Sequence, residues 1–225
     1  MPNAYFHMND RDIVKIIRIL KAQLKKWQLP ITTALAERKS DPFKILISTV
    51  LSSRTKDEVT AAATERLFAL ASRPEKMLKL SEETIARAIY PVGFYRSKSR
   101  HVREVCRVLT ERFHSKVPDV LEDLLILKGV GRKTANLVLA LAHQKDGLCV
   151  DTHVHRISNR LGYVATRSPK ETEFALREKL PRKYWIIFNT LLVSHGQNIC
   201  RPISPLCSRC PIYNYCERKG VTRSR

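Results

Sequence analysis

A helix, a tight turn and a second helix are predicted by Leu127-Lys128-Gly129-Val130-Gly131-Arg132-Lys133-Thr134-Ala135. Gly129 and Gly131 let the backbone of the turn adopt positive φ and let another backbone come close. The first N–H groups of the second helix have no acceptor within that helix, so they form an anion site. Arg132 and Lys133 add positive charge there. A phosphate group is the ligand that fits this loop best.

The charge of the whole chain agrees with an anionic partner. It contains 41 Lys and Arg against 21 Asp and Glu, which gives a formal net charge of +20 over 225 residues. A balance this basic is typical of proteins that bind a polyanion such as nucleic acid. Charge alone also suits a ribosomal protein or a very soluble protein, so the partner class needs further evidence.

Length and composition limit the class of protein. At 225 residues and 44% hydrophobic, the chain can bury a core as one large domain or two small ones. Residues 1–10 lack the apolar segment of a secretory signal, and no segment approaches the roughly 20 apolar residues of a membrane span. We therefore expect a soluble, intracellular protein with no membrane partner.

Nearly every segment has the hydrophobic periodicity or the capping residues of an α-helix. Thr55 with Glu58 predicts a capping box before one of these helices. Gly196 is expected to end a helix near the end of the chain, and the basic tail, Arg218–Arg225, is expected to be frayed. No alternation long enough for a sheet occurs, so the predicted fold class is all-α.

Four of the six cysteines have the spacing C-x6-C-x2-C-x5-C, namely Cys200, Cys207, Cys210 and Cys216. Without a secretory signal, such a set indicates metal binding rather than disulfides. A structural zinc site usually has two close pairs of ligands, and only one is present. Common ferredoxin spacings do not match either. Chemistry alone leaves an iron–sulfur cluster and zinc equally favoured. Cys106 and Cys149 are expected to be core residues.

The glycine turn, the segment Val150–Arg156 and the cysteine spacing, in this order, resemble the endonuclease III family of DNA glycosylases in the helix–hairpin–helix superfamily. Two further motifs, Leu51–Asp57 and Gly93–Lys98, are close to the family's Leu-Ser-x-Gln-x-x-Asp and Gly-Leu-Tyr-x-x-Lys. The similarity is colinear from about Phe43 to Cys216. The turn alone is moderately specific, whereas turn, aspartate and cysteines together are highly specific.

The resemblance implies two helical domains with a DNA cleft between them. Residues 35–145 would form a six-helix barrel that carries the helix–hairpin–helix. Residues 1–34 and 146–225 would form a discontinuous domain that holds a [4Fe-4S] cluster on the four cysteines. It is the resemblance, not the spacing, that favours iron–sulfur over zinc. We expect a monomer.

The resemblance also implies that a damaged base is removed and that the strand is then cut. Lys133 would be the nucleophile that attacks the sugar, displaces the base and leaves a Schiff base. Its alternative role is simple phosphate binding. Asp151 would accept a proton or stabilise positive charge on the sugar, although its position before Thr152 alone favours a helix N-cap. Both roles of the aspartate can coexist.

Reaching a base inside a duplex requires extrusion of its nucleotide, and apolar wedges hold the distorted stack open. Phe94 occupies the family's wedge position, but from the sequence a core phenylalanine is almost as well supported. Arg54 stands where the family usually has Gln, and an arginine can fill the vacated space and pair with the orphan base, guanine in particular. The other expected DNA contacts are Gly129, Gly131, Arg132, Thr134 and Arg156.

The leading hypothesis is a base-excision-repair DNA glycosylase with AP lyase activity that acts on oxidised pyrimidines. Its partner would be double-stranded DNA with damaged bases or abasic sites. A mismatch glycosylase that excises thymine or adenine is the close alternative, although those branches tend to lack the hairpin lysine. A non-catalytic helix–hairpin–helix DNA-binding protein is a third possibility, and it would not need Lys133 and Asp151 together.

Overall fold

The computed structural model describes residues 10–27, 31–37 and 41–225, and within these ranges it contains helices and no strand. The α-helices are α1 (Asp10–Leu24), α2 (Ile31–Glu37), α3 (Pro42–Ser52), α4 (Asp57–Leu70), α5 (Pro74–Leu78), α6 (Glu82–Ile89), α7 (Tyr95–Arg112), α8 (Leu121–Ile126), α9 (Arg132–Ala142), α10 (Thr152–Leu161), α11 (Pro169–Lys179) and α12 (Trp185–Asn198). Short 3-10 turns occur at Arg182–Tyr184, Cys207–Arg209 and Tyr213–Tyr215. The all-α prediction is confirmed.

Contacts divide the chain into two compact units. The internal unit, Ile31–Gly147, contains α2 to α9. The terminal unit, Met1–Pro30 with Leu148–Arg225, contains α1 and α10 to α12. Each unit has a hydrophobic core of its own, which is the usual result when a chain of this size divides its buried surface.

The centre of the internal unit is α3, which packs against α2, α4, α7 and α9. Asp41 caps this helix, because its carboxylate accepts a hydrogen bond from the N–H of Phe43 at 2.6 Å, and Pro42 occupies the first turn. The helix is apolar on nearly every side and is buried accordingly. Helix α3 therefore fixes the position of the turn that follows it.

The predicted capping box at Thr55 is wrong. Helix α4 begins at Asp57, and its N-cap residue, Lys56, makes no side-chain cap hydrogen bond. The hydroxyl of Thr55 instead accepts a hydrogen bond from the N–H of Gly93 at 3.1 Å. A partner 38 residues away in the sequence has replaced the local one.

In the terminal unit, α12 packs against α1 and α10. The prediction that Gly196 ends this helix is wrong, because α12 continues to Asn198. A Cβ atom on Gly196 would lie 2.3 Å from Nδ1 of His153. The glycine is therefore required by the close approach of α10 and not by a helix end.

The C-terminal tail is ordered by backbone hydrogen bonds, contrary to the expectation of fraying. The N–H of Lys219 donates to the carbonyl of Arg160 at 3.1 Å. The N–H of Arg225 donates to Pro205 at 2.8 Å, and the carbonyl of Arg225 accepts from Ser208 at 3.0 Å. The tail is therefore bonded to α10 at its start and to the cysteine loop, on both sides of Cys207, at its end.

Across the described part of the chain, no helix combines the length and the apolar character needed to cross a membrane.

Candidate functional site

The predicted helix–turn–helix is present as α8, a turn and α9. Gly129 has φ +81°, and a Cβ atom there would lie 2.7 Å from Nδ1 of His101, a residue of α7. Positive φ and close approach therefore both require glycine at this position. Gly131 differs: it is the N-cap of α9, its φ is −94°, and a Cβ atom would meet nothing within 4 Å.

The first turn of α9 carries the three polar residues that the sequence singled out, Arg132, Lys133 and Thr134. Lys133 is exposed, and its two neighbours are partly exposed. The first hydrogen bond within the helix runs from the N–H of Ala135 to Gly131 at 2.9 Å. The earlier N–H groups lack an acceptor in the preceding turn of the helix, and a helix start with basic side chains favours an anion.

Arg54 and Phe94 lie side by side at the two turns that precede α4 and α7. The guanidinium carbon of Arg54 is 5.5 Å from the centroid of the Phe94 ring, within the range of a cation–π contact. The Phe94 side chain is 64% exposed, so it is not a core residue. Both residues have left-handed backbone, with φ +52° and +60°. The exposed ring of Phe94 and the guanidinium of Arg54 therefore lie next to each other on the surface of the internal unit.

Asp151 is the N-cap of α10, and its side chain is buried. Its Oδ1 accepts hydrogen bonds from the N–H groups of His153 and Val154, both at 2.9 Å. This confirms the capping role that the sequence favoured from position alone. Its catalytic role stays a prediction.

Arg156, one of the expected DNA contacts, is half-buried and hydrogen-bonded within the terminal unit. Its Nη2 donates to the carbonyl of Cys200 at 2.8 Å and contacts Nδ1 of His153 at 3.1 Å. Burial lowers the pKa of the guanidinium from its ordinary value. The residue joins α10 to the start of the cysteine loop, and its contact with DNA stays a prediction.

The four clustered cysteines line one cavity, together with apolar side chains such as Ile157 and Ile212. None of the six cysteines forms a disulfide, and Cys106 and Cys149 are buried as expected. Burial raises the pKa of the Cys210 thiol to about 12 and that of Cys216 to about 11. As thiolates these groups would need a compensating cation. The four sulfur atoms around this apolar cavity are a donor set suited to a metal group bound by thiolates.

Four cysteine sulfurs around one cavity are a donor set that two kinds of metal group use. A structural zinc ion takes four thiolates, and so does a [4Fe-4S] cluster. The residues present therefore fit an iron–sulfur cluster, and they also fit zinc. Arg160 extends this environment, because its Nη1 donates to Sγ of Cys200 at 3.4 Å.

Sequence reasoning did not assign a role to Lys98, which the structure buries in the first turns of α7. Its Nζ donates to the carbonyl of Leu51 at 2.8 Å and to Oγ1 of Thr55 at 3.2 Å. Burial lowers the pKa of this amine to about 8. One sequence feature could have pointed to Lys98. It ends the Gly93–Lys98 motif, and it is a charged residue on the face of its helix that is otherwise apolar.

Comparisons with known proteins agree on one family. The profile described as HhH-GPD superfamily base excision DNA repair protein matches residues 47–182. Endonuclease III of Thermotoga maritima is 48% identical over 193 residues, which cover 84% of this chain and 91% of that protein. The chain spans about half the length of the longer Arabidopsis thaliana homologs that it also matches.

Solved structures of endonuclease III bound to DNA have the same fold. A non-covalent endonuclease III–DNA complex superposes with a TM-score of 0.83 at 30% identity, covering 94% of this chain and 97% of the other. A trapped covalent endonuclease III–DNA intermediate, an estranged-adenine complex, gives 0.75 at 35% identity, covering 80% and 85%. The chain belongs to the endonuclease III family, within the HhH-GPD superfamily of base excision DNA repair proteins.

Proposed function

We propose that the protein is a bifunctional DNA glycosylase and AP lyase that removes oxidised pyrimidines from double-stranded DNA, working as a monomer on cellular DNA. The two helical units would correspond to the barrel domain of residues 35–145 and to the cluster domain of residues 1–34 and 146–225. Family membership supports the reaction class, and the lysine of the hairpin supports the lyase step.

The observation that carries the proposal is the position of Lys133. It is an exposed amine in the first turn of α9, directly after the glycine turn and inside the segment that the family profile matches. A phosphate bound by the N–H groups of this turn would bring the adjacent sugar to the amine. A lysine at this point can therefore bind the backbone and also react with the sugar.

The proposed reaction has two stages, displacement of the base and cleavage of the strand. The neutral amine of Lys133 forms a bond to C1′, and the bond between C1′ and the base breaks, with its electron pair and a proton going to the base. The bond between C1′ and O4′ then breaks, the remaining proton of the lysine nitrogen goes to O4′, and a Schiff base remains. A general base then removes a proton from C2′, and the bond from C3′ to the 3′ phosphate breaks, which cuts the strand. Water hydrolyses the imine and restores the amine.

Asp151 is proposed to act on the same nucleotide. Its carboxylate would accept the proton of the lysine ammonium or stabilise the positive charge that develops on the sugar. Its two hydrogen bonds from backbone N–H groups fix its orientation.

DNA contacts are proposed for the residues around the hairpin and at the Arg54–Phe94 pair. Phe94 would enter the stack as the wedge, and Arg54 would fill the space that the extruded base leaves and pair with the orphan base. The expected phosphate contacts are Gly129, Gly131, Arg132, Thr134 and Arg156. Arg156 would contribute chiefly by holding the cysteine loop, given its bond to Cys200.

A [4Fe-4S] cluster is proposed on Cys200, Cys207, Cys210 and Cys216. Bound there, it would cross-link the C-terminal loop, which has little regular structure of its own. Arg160 and Arg156 supply hydrogen bonds to the first cysteine and its carbonyl and would support the ligand loop from outside.

Borohydride trapping on a duplex that contains thymine glycol tests the proposal. The native protein should form a covalent complex, and Lys133→Gln should form none while still binding the duplex. Lys128→Gln is the matched control, because it removes an exposed lysine from the same hairpin and should leave trapping intact. Equal trapping by Lys133→Gln would remove this lysine from the mechanism. Excision from G·T or A·G duplexes in place of thymine glycol would favour a mismatch glycosylase.

A further inference from the structure

The amine of Lys98 is fully engaged by three acceptors. Its Nζ donates to the carbonyls of Leu51 and Ser53 and to Oγ1 of Thr55. An ammonium has three N–H donors, so the number of donors equals the number of acceptors. The residue is only 6% exposed, and none of the described residues forms an ion pair with it. Such a buried cation without a counter-ion needs a reason beyond charge pairing.

The acceptors lie at the end of α3 and in the turn that follows. The last carbonyl groups of a helix lack partners within the helix, and a cation there is favourable. Lys98 thus binds the end of α3 directly. The same turn carries Arg54, whose φ is +52°. A non-glycine residue in this region is strained, and it persists only where its surroundings hold it.

The turn at Gly93 and Phe94 is attached to the same network. Oγ1 of Thr55 accepts from the N–H of Gly93 at 3.1 Å as well as from Lys98, and it lies 3.2 Å from the carbonyl of Ser53, to which it donates. A Cβ atom on Gly93 would lie 2.6 Å from the carbonyl oxygen of Arg54. The two turns are therefore in direct backbone contact, with no room for a side chain between them.

Lys98 and Thr55 together hold two strained turns whose side chains face solvent. Phe94 has φ +60° and is 64% exposed, and the Arg54 guanidinium stays against its ring. Helices flank both turns, and Phe94 is the N-cap residue of α7. The hydrogen bonds of Lys98 and Thr55, with the close approach of Gly93 to Arg54, join one turn to the other.

We propose that Lys98 is a positioning residue, which, through Thr55, locks the Arg54 and Phe94 turns together so that wedge and gap-filling side chain enter the DNA stack as one unit. The inference rests on the proposed roles of Arg54 and Phe94. It assigns to Lys98 no contact with DNA. Its effect falls on the extrusion of the base and not on the chemistry at the sugar.

A thymine glycol duplex and an abasic duplex separate an effect on base extrusion from an effect on the chemistry at the sugar. A thymine glycol nucleotide must be unstacked before its base can be removed, whereas a preformed abasic site has no base to unstack. In single-turnover assays, Lys98→Met and Thr55→Val should lower thymine glycol excision at least about tenfold. Both should cleave the abasic duplex within about twofold of the native rate. Thr64→Val is the matched control: it also removes a buried hydroxyl from the internal unit, but one that bonds only within α4, to Thr60, and it should change neither rate.

A double-mutant cycle tests the route by which Lys98 acts. In the Arg54→Ala and Phe94→Ala background, adding Lys98→Met should lower excision by less than about twofold, since the side chains that it positions are gone. Equal losses on both substrates, unchanged excision, or losses that multiply in the cycle would overturn the inference. Thr55→Val decides the matter if Lys98→Met does not fold. A native protein that cleaves neither duplex would instead refute the proposed function.

Discussion

The Arg54 guanidinium carbon lies 5.5 Å from the centroid of the exposed Phe94 ring, and the backbones of both residues are left-handed. The two residues come from turns 40 positions apart in the sequence, yet they form one surface patch with an apolar and a cationic half. Base stacking favours the ring, and hydrogen-bond acceptors on the bases favour the guanidinium. The pair is therefore suited to occupying the space that an extruded base vacates.

Arg54 should set the opposite-base preference. With the arginine, which donates several hydrogen bonds and accepts none, excision of thymine glycol should be faster opposite guanine than opposite adenine. Arg54→Gln restores the family's usual residue and should bring the ratio of the two rates toward one, a change of about 1–3 kcal/mol for one bidentate contact. Single-turnover excision from the two duplexes measures it. A ratio unaffected by the substitution would exclude Arg54 from reading the orphan base.

Asp151→Asn separates the capping role from the catalytic one. Asparagine is as good an N-cap as aspartate, so the free energy of unfolding should change little. Excision should fall by at least about a hundredfold, because the amide can neither accept a proton nor stabilise positive charge. Asp151→Ala should in addition cost about 1 kcal/mol of stability. Native excision by a stable Asp151→Asn protein would leave the residue as a cap only.

Metal analysis decides the nature of the cysteine site. The purified native protein should contain about four irons per chain and an equal amount of acid-labile sulfide, as a [4Fe-4S] cluster requires. Cys210→Ala should lose most of this iron. Cys106→Ala, a buried cysteine of the internal unit, should keep the native iron content and lose only about 1–2 kcal/mol of stability. About one zinc per chain and no iron would support the structural zinc site.

Stability should respond to the titration of Lys98. Burial lowers the pKa of this amine to about 8, against 10.5 for an ordinary lysine. Between these pH values the unfolded chain binds a proton at this residue that the folded chain has lost, so the free energy of unfolding gains a contribution that increases with pH. Between these pH values, the unfolding free energy of the native protein should therefore rise relative to that of Lys98→Met as the pH increases, by at most about 1.4 kcal/mol per pH unit. Urea unfolding midpoints of the two proteins, measured across this pH window, test this. Midpoints that change in parallel would contradict the lowered pKa of Lys98.

The sequence predicted those parts of the molecule that depend on local chemistry. The glycine turn and the cap at Asp151 follow from the residues themselves, and the structure has both. The all-α class follows from helical periodicity along nearly the whole chain. Such features need no knowledge of which distant residues meet.

The errors arose where tertiary contacts decide the outcome. Thr55 has the sequence of a helix cap, but its hydroxyl is used by Gly93 and Lys98. Gly196 has the properties of a helix end, yet it lies where His153 of α10 approaches α12. The tail at Arg225 is basic and short, and backbone bonds to Pro205 hold it nonetheless. None of these partners is near its residue in the sequence.

The central claim is that the amine of Lys133 forms the covalent bond to DNA, and peptide mapping of the trapped complex tests it most directly. The native protein is reduced with borohydride on a thymine glycol duplex, the DNA is digested, and the modified peptide is identified by mass spectrometry. We predict a reduced sugar remnant on Lys133. The same remnant on Lys128, on any other lysine or on the N-terminal amine would contradict the account.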